Sequence, residues 1–210
     1  MRHPTRRPEG LWHRQGLRPV AGVDEAGRGC LAGPVVAGAV ILGTRVPSGI
    51  DDSKRLSPAR REELLLALEA SRSHHLAWGL ADPSEIDRLN IRQASFLAMN
   101  RAISHLPEPP AALLVDGEPI PDLDLPQRGL IRGDQRSLSI AAASIVAKVI
   151  RDHMMVELAR RYPAYGFEHH KGYPTAEHLE ALRRLGPCPH HRRTYTPVRQ
   201  AFLSSTGPGN

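Results

Sequence analysis

The stretch "GVDEAGRGCLAGPVVAGAVIL", residues 22–42, sets two adjacent carboxylates, Asp24 and Glu25, ahead of an arginine held between two glycines, and then enters a β-branched run. "PVAGVD" (19–24) reads as a strand that ends on the acidic pair, and "PVVAGAVIL" (34–42) as a second strand. Between them "GRGCLA" (27–32) formally satisfies G-x-G-x-x-G/A, and Asp51 follows at about the distance a dinucleotide fingerprint requires. That fingerprint needs its third small residue to open a helix. Here Gly33-Pro34 interrupts the chain, a β-branched run follows, and the acidic pair would repel a pyrophosphate, so dinucleotide binding is set aside.

The chain has 210 residues, 40% of them apolar, which suits one well-buried α/β domain. A formal charge of +6 makes a polyanion such as nucleic acid a plausible partner without deciding it. Cys30 and Cys188 lie far apart and form neither a disulfide framework nor a cysteine-rich zinc motif, which fits a cytoplasmic protein. The start, "MRHPTRRPEGLWHRQGLRP", is basic and lacks the apolar core of a signal peptide, and no stretch approaches the roughly 18 apolar residues of a membrane span. The expected organisation is a flexible basic arm over residues 1–18, one catalytic domain over 19–203 and a flexible tail over 204–210.

Further strands are expected at "HHLAWGLA" (74–81), "AALLVDG" (111–117) and "GLIRGD" (129–134). Ser57-Pro58 starts a helix whose leucines fall on one face, and "DPSEIDRLN" opens another helical region, with Leu97, Met99 and Ile103 turned inward. "SLSIAAASIVAKVIRDHMMVELARRY" (137–162) is the longest helical pattern, small and apolar on one face and charged on the other, and Thr175 caps a last helix. A sheet core with a helical C-terminal part follows.

Asp24, Asp116 and Asp134 each stand at the end of an expected strand. Any one alone reads as a turn aspartate bonding its own backbone. Three of them, with Glu25, point to one sheet edge, where open α/β folds bind ligands. Clustered carboxylates repel one another unless cations fill the cluster, and hard divalent ions take such oxygen donors. Two ions about 3.5–4 Å apart can activate a water and stabilise the leaving oxygen of a phosphodiester. Of 28 basic residues, 25 are arginine; the three lysines, Lys54, Lys148 and Lys171, mark places where a compact ammonium is required.

"GVDEAGRGCLAGPVVAGAVIL", "DDSKRLS", "LLVDGE", "RGDQRSLSIAAASIVAKVIRD", "GFEHHKGYPTAEHLE" and "HHRRTYTPV" occur in order from about residue 20 to about residue 200 and together resemble the motifs of bacterial ribonuclease HII. The resemblance implies a ribonuclease H-like fold, a central mixed β-sheet flanked by helices. It implies an endonuclease that cuts the RNA strand of RNA–DNA hybrids and incises at single ribonucleotides in duplex DNA, leaving 3′-hydroxyl and 5′-phosphate ends. Asp24, Glu25, Asp116 and Asp134 fall on its catalytic and metal-site carboxylates, for two Mn²⁺ or Mg²⁺ ions. Gly27, Arg28 and Gly29 fall on the loop that contacts the backbone at the RNA–DNA junction, and Tyr173 on the tyrosine that senses the ribose. Lys54, Lys148 and Lys171 also recur at motif positions, with phosphate contact or charge balance as their expected roles.

Asp152 lies in a motif too, but one helical turn beyond Lys148, where an ion pair is the simpler role. Departures from the family pattern are Arg132 where lysine is common, Tyr195 where phenylalanine is frequent, and "SLSIAAAS", which lacks an acidic residue that some members carry before the small-residue run. His169, His170, His190 and His191 do not make a zinc spacing and are expected to be solvated or phosphate-facing. Rival readings are a non-catalytic hybrid- or duplex-binding module and a DNA-directed nuclease of the same fold; a monomer is the default.

Overall fold

The computed structural model describes residues 3–205. Its centre is one five-stranded mixed sheet in the order β3-β2-β1-β4-β5. β1 (Val20–Ala26), β2 (Val35–Ile41) and β3 (His75–Ala81) form an antiparallel meander. β4 (Ala112–Asp116) and β5 (Gln127–Leu130) add in parallel on the other side of β1. Because β1 and β4 run the same way, Val23 pairs with Val115 and both strands release their acidic ends at the same edge.

Side chains alternate across β1, so Ala21 and Val23 join one core and Val20 another. The first core is closed by α4 (Ile91–Ser104), which follows the short α3 (Pro83–Leu89). Asp82 caps α3 in a full capping box with Glu85. Met99 and Ile103 are buried as expected, and Leu97 is partly so. The opposite face is covered by α5 (Leu138–Arg161) and α2 (Pro58–Glu69). Ser57 caps α2 as expected, but its leucines do not share one face: Leu64, Leu65 and Leu68 are buried and Leu66 is exposed.

The start of α5 is buried on all sides from Ser139 to Ala147, not on the single face expected from its pattern. Its alanines and serines bring the helix axis close to the sheet, and the sheet answers with glycine. A Cβ added to Gly22 would collide with the backbone of Ser139 and Ile140, and one added to Gly38 with the carbonyl of Ala143. β1 and β2 therefore meet α5 backbone to backbone.

Three further expectations are corrected. Residues 7–14 of the expected flexible arm form α1 (Arg7–Arg14), which buries Glu9, while Trp12 packs against the core of Val20, Leu114 and Ile140. The strand expected to end at Asp134 stops at Leu130; Asp134 lies in a 3₁₀ turn, Gly133–Gln135, entered through Arg132 in the left-handed region at φ 52°. His170 and His191 are buried instead of solvated. Of the tail expected over 204–210, residues 206–210 lie outside the described residues, and Ser204 and Ser205 complete α8 (Thr196–Ser205).

The C-terminal part is α6 (Phe167–His170), α7 (Ala176–Leu185) and α8 around a chain of neutral histidines. His178 Nδ1 lies 2.9 Å from the Tyr173 carbonyl, His178 Nε2 lies 3.0 Å from His191 Nε2, and Cys188 N donates to His191 Nδ1 at 3.0 Å. Only one proton arrangement satisfies all three: His178 donates to the carbonyl and accepts from His191. Burial is the main reason that His178 is depressed to about 4 and His191 to about 3, so both stay neutral.

The close α5–β1 contact makes a direct prediction. Gly22→Ala destabilises the fold by about 2 kcal/mol or more in urea denaturation, because the obstruction is backbone. Gly29→Ala, where an added Cβ meets nothing within 4 Å, changes stability by less than about 1 kcal/mol.

Candidate active site

Asp24 sits on β1 with its side chain on the α5 face, 5% exposed, and its Oδ1 accepts the Glu25 amide at 2.7 Å. Burial comes first, and then the charges of Glu25, Asp116 and Asp134, in raising its carboxyl well above the usual range. Glu25 is pushed up by burial against the opposing pull of Arg28, whose Nη1 lies 3.2 Å from its Oε1. Asp116 closes β4 and accepts the Gly133 amide on Oδ1 at 2.6 Å, so the turn that carries Asp134 is latched to the strand that carries Asp116. Asp134 is 3% exposed and is raised by burial, then by Asp52 and Asp116. The structure thus gathers all four sequence-predicted carboxylates into one electrostatically coupled group.

Lys54 belongs to the same group. It lies on a 3₁₀ turn, Ser53–Arg55, capped by Asp52, and its Nζ is 3.5 Å from Asp134 Oδ2. Partial desolvation beside the acids works against its charge, but Asp134, Asp24, Asp52 and Asp116 together hold this exposed ammonium above its ordinary range. Asp52 in turn accepts Gln135 Nε2 at 3.1 Å, a second tie between this turn and the Asp134 turn. Among the described residues no three His, Cys, Asp or Glu side chains form a ready-made ligand cluster for a metal ion. Beside the acids a cleft of about 360 Å³ opens, lined by Glu25, Arg28, Arg92, Phe96, Asp116 and Glu118.

The other predicted residues form a second group. Tyr173 is 39% exposed, with Lys148 Nζ 5.7 Å and the Arg151 guanidinium 5.9 Å from its ring centre. Lys148 also binds Asp152 at 2.7 Å, the ion pair expected for that aspartate, which Arg61 joins at 3.5 Å. Lys171 does not reach the acids; it has a left-handed backbone and its Nζ donates to the Glu168 carbonyl. Leu31 N donates to the Gly172 carbonyl at 2.8 Å, so the "GRG" loop and the "KGY" segment are one surface.

That surface rests on two fully buried arginines the sequence reading passed over. Arg192 donates to the carbonyls of Gly27 at 2.7 Å, Arg28 at 2.8 Å and Gly33 at 3.0 Å. Arg151 donates to Pro34 at 2.9 Å, Ala32 at 3.1 Å and Lys171 at 2.9 Å. With the loop carbonyls turned inward, Arg28 keeps a half-exposed side chain. No residue pattern marked these two among 25 arginines, since the bias that made lysine informative made arginine uninformative.

Comparison with known proteins gives the family and the fold. The family model described as Ribonuclease HII matches residues 21–202. Ribonuclease HII of Maricaulis maris is 53% identical over 190 residues, covering 88% of this chain and 85% of that protein. The crystal structure of ribonuclease H2 from Pyrococcus horikoshii OT3 superposes with a TM-score of 0.72 at 27% identity, over 90% of this chain and 99% of that one. Bst-RNase HIII, solved in complex with Mn²⁺, shares the fold at a TM-score of 0.72 and 20% identity, over 89% of this chain and 70% of that one. With its mixed sheet and its acids gathered at one edge, the chain belongs to the ribonuclease HII family of endoribonucleases.

Proposed function

We propose that the protein hydrolyses the RNA strand of RNA–DNA hybrids and incises 5′ to single ribonucleotides in duplex DNA. The observation that carries this is the buried Asp24, facing Glu25, Asp116 and Asp134 at one sheet edge. Membership in an endoribonuclease family sets aside the non-catalytic binding module. No helix among the described residues is long and apolar enough to cross a membrane. The reading is of a cytoplasmic monomer whose partner is nucleic acid.

The donor set is all oxygen, and neighbouring acids add to burial in raising the Asp24 and Asp134 carboxyls, which is the chemistry of a site for hard divalent cations. Asp24, Glu25, Asp116 and Asp134 would hold two Mn²⁺ or Mg²⁺ ions; Mn²⁺ is the ion named with Bst-RNase HIII. When bound, such ions supply Lewis acidity to the scissile phosphate and lower the pKa of a bound water. In the reaction a water oxygen bonds to phosphorus while the bond from phosphorus to O3′ breaks. The products are a 5′-phosphate on the ribonucleotide and a 3′-hydroxyl upstream.

The chain's own residues orient the duplex around that bond. Arg28, with its carbonyl held by Arg192, offers a guanidinium to backbone phosphates, while Gly27 and Gly29 let the main chain approach. Tyr173, held by Lys148, Arg151 and the His178 contact to its carbonyl, presents a ring and hydroxyl to the ribose, where a 2′-hydroxyl separates RNA from DNA. Lys54 balances the acids through Asp134, and Lys148 and Lys171 support the Tyr173 side.

Asp116→Asn lowers divalent-dependent cleavage by about a hundredfold or more while duplex affinity stays near wild type. Wild-type turnover by that variant, measured on a labelled hybrid, contradicts the assignment. Tyr173→Ala narrows the preference for a ribonucleotide-containing over an all-DNA duplex by about ten- to a hundredfold, the scale of one lost stacking contact. An unchanged preference removes Tyr173 from ribose sensing; equal cutting of both duplexes by the wild type favours a DNA-directed nuclease.

A further inference from the structure

Glu9 lies on α1, outside residues 21–202 that match the family model, yet it is only 5% exposed. Its Oε1 accepts three hydrogen bonds, from Ser137 Oγ at 2.6 Å, Ser139 Oγ at 2.6 Å and Ser139 N at 3.0 Å. Ser137 is the N-cap of α5, and its hydroxyl accepts from Ile140 N while donating to Glu9. A carboxyl here meets one amide, Ser139 N, that the helix cannot satisfy itself, at the positive end of its dipole. Thr5 completes the grip, donating to the Arg136 carbonyl and accepting from Leu138 N, both at 3.2 Å. Arg6, His13 and Arg18 are the basic groups that line the same cavity as Glu9.

The gripped residues, 136–139, join two carboxylate-bearing elements. Upstream, Ser137 N donates to the Gly133 carbonyl at 2.8 Å, and Gly133 N to Asp116 Oδ1 at 2.6 Å, so the Asp134 turn is fixed at both ends. Downstream, the Ser139 backbone lies against Gly22, two residues before Asp24. A shift of the first turn of α5 therefore moves Asp134 relative to Asp24 and Asp116.

We propose that Glu9 is a positioning residue for the nuclease reaction: by capping α5 it holds the Asp134 turn at the place where Asp134 faces Asp24 and Asp116. The N-terminal helix is thereby part of the catalytic domain. The inference rests on the reading of Asp134 as a metal-holding carboxylate, and it extends the site to a segment the family motifs do not reach.

The test compares the full-length protein with Glu9→Ala and Glu9→Gln on a duplex carrying one ribonucleotide. It separates kcat from KM, titrates Mn²⁺, and follows amide hydrogen exchange over residues 133–140. Glu9→Ala lowers kcat about 10–100-fold, the range for loss of a group that orients a metal ligand. KM for the duplex stays near wild type, the Mn²⁺ concentration for half-maximal activity rises, and exchange over residues 133–140 accelerates. Glu9→Gln, which keeps the oxygen acceptor, reverses most of all three changes. Glu9→Ala with wild-type kcat below its melting temperature overturns the proposal, as does unchanged exchange over 133–140. If the wild type cuts at no ribonucleotide with any divalent ion, the functional reading fails instead, and the exchange result alone decides whether Glu9 holds the turn.

Discussion

Four carboxylates pressed together at one edge of a sheet is an arrangement that repels itself, and the rest of the structure answers to that constraint. Asp24 is nearly excluded from water while Glu25, Asp116 and Asp134 act on it. Partial compensation comes from Lys54 on Asp134, Arg28 on Glu25 and the Gly133 amide on Asp116. Two features hold the acids in place: the Gly133–Asp116 latch, and the contact of α5 with β1, backbone against backbone at Gly22. Strain in the approach, with Arg132 left-handed just before the turn, is stored where that packing over-determines it.

The second half of the site is built by an opposite device. Arg151 and Arg192 are fully buried and spend their donors on backbone carbonyls of the first loop and of Lys171. Planar guanidinium groups with several fixed donors can satisfy three carbonyls each, which an ammonium on a flexible stem cannot do in one plane. The neutral histidine pair, His178 and His191, then fixes the segment that ends in Tyr173 from the other side. In the proposed function, a nucleic acid across both halves would meet the four acids on one side and an arginine-backed loop with an aromatic ring on the other.

Much of this was legible in the sequence, for identifiable reasons. β1 and β2 were readable because β-branched runs leave little alternative, and Asp116 because it ends β4; Asp24 lies two residues inside β1, which runs on through Glu25 to Ala26. Asp134 was found for a partly wrong reason: it follows β5 by four residues, and a side-chain-to-backbone latch, not strand geometry, brings it to the edge. α1 was missed because a short basic segment carries no strong apolar period; what orders it is Trp12 against the core and Glu9 on two serines more than a hundred residues away. That contact falls on the segment "SLSIAAAS", where Glu9 from α1 accepts from the Ser139 hydroxyl. Burial of His170 and His191 depended on aromatic packing among Tyr165, Phe167 and His178, which no local spacing announces.

The most direct measurement is to incubate the protein with a DNA duplex carrying one ribonucleotide, in Mn²⁺ or Mg²⁺, and to map the cut at nucleotide resolution. The account predicts a single incision on the 5′ side of the ribonucleotide, with 3′-hydroxyl and 5′-phosphate ends and no cleavage of the all-DNA duplex. Equal cutting of the all-DNA duplex, or ends bearing a 2′,3′-cyclic phosphate, would contradict it.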